Sequence, residues 1–148
     1  MTLEQKEAWE RWYRSGAPLW RGSAPPLPDL PENSRVLDIG CGTGKNCFLL
    51  AEMGHKVTGM DISPSAIETA RKRCEAGGVS VDLVVGDILE EPPIGRGYDL
   101  VIMDHLLGAL DRDERRKAVE VVSGLLAEKG TISFMDHCTE DVREGAGE

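Results

Sequence analysis

The apolar residues of this 148-residue chain change their spacing several times along its length. Near the N-terminus Trp9, Trp12 and Tyr13 recur at i, i+3 and i+4, which predicts an amphipathic helix over 3–14. Between 15 and 34 the pattern lapses. Gly16, Pro18, Pro25, Pro26, Pro28 and Pro31 predict an extended, irregular segment there. From Ser34 onward short apolar runs alternate with helical stretches. The runs predict strands over 35–39, 56–60, 79–85, 98–103 and 131–135. Residues 45–53 read as a helix stopped by Gly54. Ser63 caps a further helix, with Pro64 at its first position, that runs to about Ala76. Asp111-x-x-Glu114 is a capping box, and it opens a helix with Ala118, Val122, Leu125 and Leu126 on one face, ended by Gly130.

Strands that alternate with helices predict an α/β domain with a parallel sheet and crossover connections. The strands are apolar with little alternation, as expected where helices cover both faces. The organisation expected is an N-terminal helix and Pro-rich segment over 1–33, a core over 34–138 and a polar tail over 139–148. No repeat at a solenoid period is present.

Composition narrows the partners. Apolar residues make up 41% of the chain, enough for one buried core. Seventeen basic and 26 acidic residues give a net charge of −9, which argues against nucleic acid as the main partner and against anionic lipid. Cys41, Cys47, Cys74 and Cys138 follow no metal-ligand or disulfide spacing, so they read as free thiols in a reducing compartment and no metal is expected. The first residues contain no apolar leader and no stretch approaches a membrane span, so a cytoplasmic location is expected.

The chemistry concentrates in Val36-Leu37-Asp38-Ile39-Gly40-Cys41-Gly42-Thr43-Gly44. A strand runs into G-x-G-x-G and a helix follows. Glycines there permit a sharp turn and close approach of a ligand to the backbone. Asp61 follows the second strand, 21 residues after Gly40, where a carboxylate can accept both hydroxyls of a ribose. Asp104 and His105 follow the fourth strand, and Asp136 and His137 follow the fifth. Either histidine titrates near neutrality and is a candidate general base, although capping and packing roles also fit them.

These residues resemble the class I S-adenosylmethionine (SAM) dependent methyltransferases. The match is D-x-G-x-G-x-G rather than the dinucleotide pattern G-x-G-x-x-G, and four motifs occur in the family's order between 34 and 136. The resemblance implies a Rossmann-like three-layer sandwich with strand order 3-2-1-4-5. Asp38 would hold the amino group of SAM, while Gly40, Cys41, Gly42 and Gly44 would form the loop around its methionyl end. Asp61 would bind the ribose and Ile62 would pack on the adenine. Asp87 and Ile88, in Gly86-Asp87-Ile88, would contact the adenine edge. Asp104 would face the site from the fourth-strand motif Tyr98–Asp104. The aromatic run Trp12-Tyr13…Trp20 resembles an N-terminal segment that folds over the cofactor, with Trp20 among its contacts. The products would be S-adenosylhomocysteine and a methylated small molecule.

The chain departs from the family pattern at its C-terminal end. The usual last two strands are lacking after the fifth, which suggests truncation and leaves an open strand edge for a second copy to pair with. Two other readings stay open: a SAM-binding module without independent catalysis, and an NAD-binding Rossmann domain.

Overall fold

The computed structural model describes residues 1–16, 27–90, 92, 94–104 and 106–135. Its elements are α1 (Leu3–Arg14), β1 (Arg35–Ile39), α2 (Lys45–Glu52), β2 (Lys56–Asp61), α3 (Pro64–Ala76), β3 (Asp82–Val85), β4 (Tyr98–Ile102), α4 (Arg112–Ser123) and β5 (Leu126–Ser133). Single 3₁₀ turns lie at Ile88–Glu90 and Leu107–Ala109. The predicted capping residues act as expected. Ser63 accepts from the Ala66 amide, and Asp111 and Glu114 bond reciprocally. A second capping box, Thr2 with Gln5, starts α1.

The five strands are all parallel and lie in the order β3-β2-β1-β4-β5. Alternate residues of the central strands feed two separate cores. Leu37 and Ile39 of β1, Val101 of β4 and the following Met103 pack with Ala118 and Val122 of α4. Val36, Leu100 and Ile102 point the other way, toward Cys47 and Leu50 of α2 and Ile67 of α3. A period of two on a strand buried on both faces produces this split, and it makes the molecule a three-layer sandwich. Tyr98 is fully buried; its hydroxyl donates to the Ile94 carbonyl, and the Arg35 guanidinium lies 4.7 Å from its ring centre.

Two regions differ from the sequence reading by three residues or more. The first concerns β3, which starts at Asp82 rather than at 79, because the Val79 amide is spent on the Cys74 carbonyl and closes the end of α3. The second concerns α4, which ends at Ser123. Gly124 closes it with its amide toward Glu120 and Val121, and Leu126 already pairs with Tyr98 in the sheet. Gly130 is therefore a strand residue and not a helix stop. Pairing resumes at Leu100 with Thr131, so β5 carries extra residues opposite the start of β4. The irregularity brings Gly130 so close to β4 that an added Cβ would lie 2.5 Å from the Tyr98 carbonyl oxygen. The helical spacing of Ala118, Val122 and Leu125 continues past the true helix end because Leu125 and Leu126 still join the same core from outside it.

These two glycines carry opposite expectations. Gly130→Ala overpacks backbone that cannot retreat and is expected to cost about 1–3 kcal/mol. Gly124→Ala sits at an αR position, with its nearest contact at 3.4 Å, and is expected to stay within about 0.5 kcal/mol of wild type. Urea unfolding of both variants measures the contrast; equal effects would contradict the placement of Gly130 in β5.

Candidate cofactor-binding site

Strands β1 and β2 end side by side, with Ile39 paired to Met60. The chain then folds over the end of β2, where the Gly40 and Cys41 amides both donate to the Met60 carbonyl, at 2.7 and 2.9 Å. Gly40, Gly42 and Gly44 all take positive φ, at 74°, 56° and 79°. That conformation favours glycine. Gly44 has a further constraint, since a Cβ there would press to 2.8 Å against Ala70 Cβ of α3. Gly40 has none: a Cβ there would meet no protein atom within 4 Å. Its bare face is turned to space that a ligand can use.

Four carboxylates, Asp38, Asp61, Asp87 and Asp104, lie at or just beyond the carboxyl ends of β1 to β4. Asp61, the last residue of β2, is buried. Its Oδ2 accepts from the Gly42 amide at 2.9 Å and its Oδ1 from the Ser63 amide at 3.0 Å. Burial pushes its pKa up, against the Ser63, Gly42 and Ile62 amides, which pull it down. Asp38 faces Ile102 of β4 across the ladder, and Cys47 Sγ donates to its Oδ2 at 3.7 Å. Burial, followed by the charge of Asp104 just beyond β4, pushes the Asp38 carboxyl up to about 7. Asp87, after β3, accepts from the Leu89 amide at 3.0 Å. Burial raises the Asp87 carboxyl, but the Leu89 amide, the Met1 amino group and Lys6 outweigh it and hold it below the ordinary range.

Three residues approach this site from α1, of which sequence reasoning missed Lys6 and Glu10 and gave Tyr13 only within the aromatic run that resembles a covering segment. Lys6 Nζ lies 3.3 Å from Asp87 and 2.7 Å from Glu90. Glu10 accepts from the hydroxyls of Ser63 and Ser65 and from the Ser65 amide at the start of α3. The Ser63 and Ser65 hydroxyls hold the Glu10 carboxyl down at about 2. Tyr13 is half-buried, and burial followed by the nearby charges of Asp61, Cys41 and Asp38 drives its pKa far up. The signal was present as the i, i+4, i+7 spacing of 6, 10 and 13, which one helix face shares. The stronger aromatic period of 9, 12 and 13 masked it.

The structure places the other expected residues as follows. Asp38, Asp61 and the glycine loop converge at the carboxyl ends of β1 and β2, and Asp104 lies beside Asp38. Ile62 is half-buried and, with Lys6, Glu10, Arg14 and Pro64, lines a groove of about 330 Å³ along α1. Ile88 packs its side chain into the α4-side core, leaving only its backbone for the crevice. Cys41, Cys47 and Cys74 are buried free thiols. Trp20, His105, Asp136, His137 and Cys138 lie outside the described residues. The remaining histidine, His55, accepts from the Ser34 amide through Nδ1 and is structural.

Comparison with known proteins agrees with this geometry. A methyltransferase domain family model matches residues 36–130. The ubiquinone biosynthesis O-methyltransferase of Methylocella silvestris is 38% identical over 95% of this chain and 46% of its own length. The carboxy-S-adenosyl-L-methionine synthase of Campylobacter curvus is 31% identical over 72% of this chain and 46% of its own. Among solved structures, a TehB-like SAM-dependent methyltransferase from Corynebacterium glutamicum superposes with a TM-score of 0.65 at 26% identity, covering 79% of this chain and 65% of that one. A phosphoethanolamine N-methyltransferase from Haemonchus contortus gives 0.69 at 26% identity over 93% of this chain and 27% of that one. The chain thus spans less than half the length of these curated relatives. With its motifs, its strand order and its family match in agreement, the chain belongs to the class I SAM-dependent methyltransferase family.

Proposed function

We propose that this chain binds SAM in the crevice above Gly40–Gly44 and transfers its methyl group to a small-molecule acceptor. One observation carries the reading: Asp38 and Asp104 stand together beside Asp61, behind a glycine loop with a bare face. SAM brings two positive groups, a sulfonium and an α-ammonium, to such a place. NAD would bring an anionic pyrophosphate to the same carboxylates. At 4 Å a unit charge pair is worth about 4 kcal/mol at an effective dielectric of 20, so the sign of the ligand decides between them.

In this assignment Asp38 holds the ammonium, Asp61 the ribose and Asp87 the adenine amino group, while Gly40, Cys41, Gly42 and Gly44 pass around the methionyl end. Ile62 packs on the adenine, Ile88 offers its backbone, and Trp20 belongs to the covering N-terminal segment. When bound, the cofactor supplies a methyl carbon made electrophilic by the adjacent sulfonium. The protein's task is to hold an acceptor in line with it, and positioning supplies much of the catalysis. Asp104 faces that place, and His105 and His137 follow strands that end there; each is a candidate to orient the acceptor or take its proton. The small-molecule acceptors named for the relatives support this class of substrate. The three-part division at 33/34 and 138/139 separates the covering segment, this core and the tail. No helix among the described residues is long and apolar enough to cross a membrane, and the cytoplasm, where SAM is made, is the proposed location. Strand β5 is an outer strand, with Phe134 exposed just after it, and we propose that a second copy pairs along it.

Calorimetry with S-adenosylhomocysteine tests the core of this reading. Wild type is expected to bind it and to ignore NAD; well-folded protein that binds no SAM or S-adenosylhomocysteine would overturn it. Turnover of an acceptor panel then separates an enzyme from a binding module. Asp61→Ala is expected to weaken binding at least tenfold, since charge-assisted bonds are worth about 1.5–3 kcal/mol each.

The pH dependence has a definite sign. Asp38 titrates near 7 rather than near its ordinary 3.8, so the ligand-free fold keeps a proton that the unfolded chain releases. That contribution to stability is full below about 3.8 and is lost as pH rises through 7. An ammonium prefers the ionised carboxylate. Affinity for S-adenosylhomocysteine is therefore expected to fall up to about tenfold per pH unit below 7, while 5′-methylthioadenosine, which lacks the amino-acid part, stays flatter. Equal slopes for the two ligands would remove Asp38 from the ammonium site.

Light scattering over a concentration series tests the β5 pairing. A dimer is expected in wild type and a monomer in Phe134→Pro, with circular dichroism confirming that the variant folds. Wild type that stays monomeric at high concentration would exclude the pairing.

A further inference from the structure

Asp38 shares a strand face with Val36, whose partners are Cys47 and Leu50 of α2 and Ile67 of α3, so an apolar residue at 38 would extend that core. Its neighbours across the ladder are Ile102 of β4 and Gly59 of β2. Gly59 is the unusual one. Its φ is not positive, so backbone conformation does not call for glycine there. A glycine inside a strand marks the close approach of another group. Here a Cβ at 59 would lie 2.8 Å from Cys47 Sγ, 3.0 Å from Leu83 Cδ2 and 3.1 Å from Cys41 Sγ. The sheet thus leaves a bare position next to Asp38, and the Cys47 thiol is seated over it.

Seated there, Cys47 does more than pack. Its Sγ lies 3.7 Å from Asp38 Oδ2 and donates to it, and both residues are buried. A thiol is a weak donor, but a hydrogen bond counts for more where water is excluded. The neighbouring Cys41 thiol, then burial and the Asp38 charge, push the Cys47 thiol up, so it keeps its proton wherever Asp38 titrates. The other groups around the pair act differently. Asp104 after β4 and Asp61 of β2 oppose ionisation of Asp38 by like charge. Tyr13 of α1 is near enough to feel the Asp38 charge, Cys41 Sγ is turned to the Gly42 carbonyl, and Cys74 of α3 is a further buried thiol whose influence reaches Cys47. Among all of them the Cys47 thiol is the group that favours the ionised carboxylate.

We propose that Cys47 is a positioning residue for cofactor binding, whose thiol donates from α2 to the Asp38 carboxylate and holds it ready for a ligand's ammonium. This inference rests on the reading of the crevice as a SAM site. Cys47 acts on the ligand through Asp38 alone. Losing the thiol proton donor leaves Asp104 and Asp61 unopposed, and Asp38 then holds its own proton to higher pH.

The experiment is calorimetry of S-adenosylhomocysteine and of 5′-methylthioadenosine with the full chain, Cys47→Ala and Cys47→Ser, from about pH 6 to about pH 8.5, each variant compared with wild type at the same pH. Circular dichroism confirms that both variants fold. For Cys47→Ala the fall in S-adenosylhomocysteine affinity is expected to begin about half a pH unit higher, making binding about threefold weaker than wild type below pH 7, a deficit that closes toward about pH 8.5. Binding of 5′-methylthioadenosine is expected to stay unchanged. Cys47→Ser keeps a donor in the same seat and is expected to follow the wild-type profile within about twofold. A Cys47→Ala deficit of equal size at every pH, or one shared by 5′-methylthioadenosine, would overturn the proposal and make Cys47 a packing residue. The absence of any deficit, or a Cys47→Ser variant as weak as Cys47→Ala, would overturn it as well. Wild type that binds neither ligand would instead overturn the SAM reading on which the proposal rests.

Discussion

Strand β1 is hydrogen-bonded to β2 on one edge and to β4 on the other, and the rest of the crevice follows from that double pairing. The connections after β1 and β2 lead to one side of it, and those around β4 lead to the other. The loop after β1 and the turn after β4 therefore part at this point and leave a gap between them, the usual place for a ligand in an open parallel sheet. The register decides what lines the gap. Asp38 lies opposite Ile102, so Asp104 emerges two residues later beside it. A slip of one residue would turn Asp38 toward a core face and Leu37 or Ile39 away from it.

Holding these carboxylates together has a cost that the fold answers in three different ways. Asp38 keeps its proton to about neutrality. Asp61 is surrounded by backbone amides that serve it whatever its charge. Asp87 is paired with the Met1 amino group and with Lys6 of α1. On the proposed SAM reading, Asp38, pushed up to about 7, is the carboxyl expected to couple binding to pH.

The polar docking of α1 belongs to the same economy of charge. Glu10 and Lys6 sit on one face of the helix and find an opposite or complementary partner at each strand end they meet. Exposed ion pairs of this kind contribute about 0–1 kcal/mol each.

The sequence alone determined the α/β class and the residues of the glycine loop, because those depend on local signals such as periods of two and 3.6, capping residues and clustered glycines, while the strand order came only from the family resemblance and was settled by the sheet itself. It also marked Asp61 and Asp104 by their place after a strand, and the family resemblance added Asp38 and Asp87. It misread Gly130, since a glycine demanded by the close approach of the Tyr98 carbonyl looks the same in sequence as one that ends a helix. It left Lys6 and Glu10 unassigned because their partners are 53 to 84 residues away, and only the folded sheet brings those partners to one rim. Local geometry is written in neighbouring residues; which charges face one another across a crevice is decided by the packing of elements distant in the chain, and that required the tertiary structure.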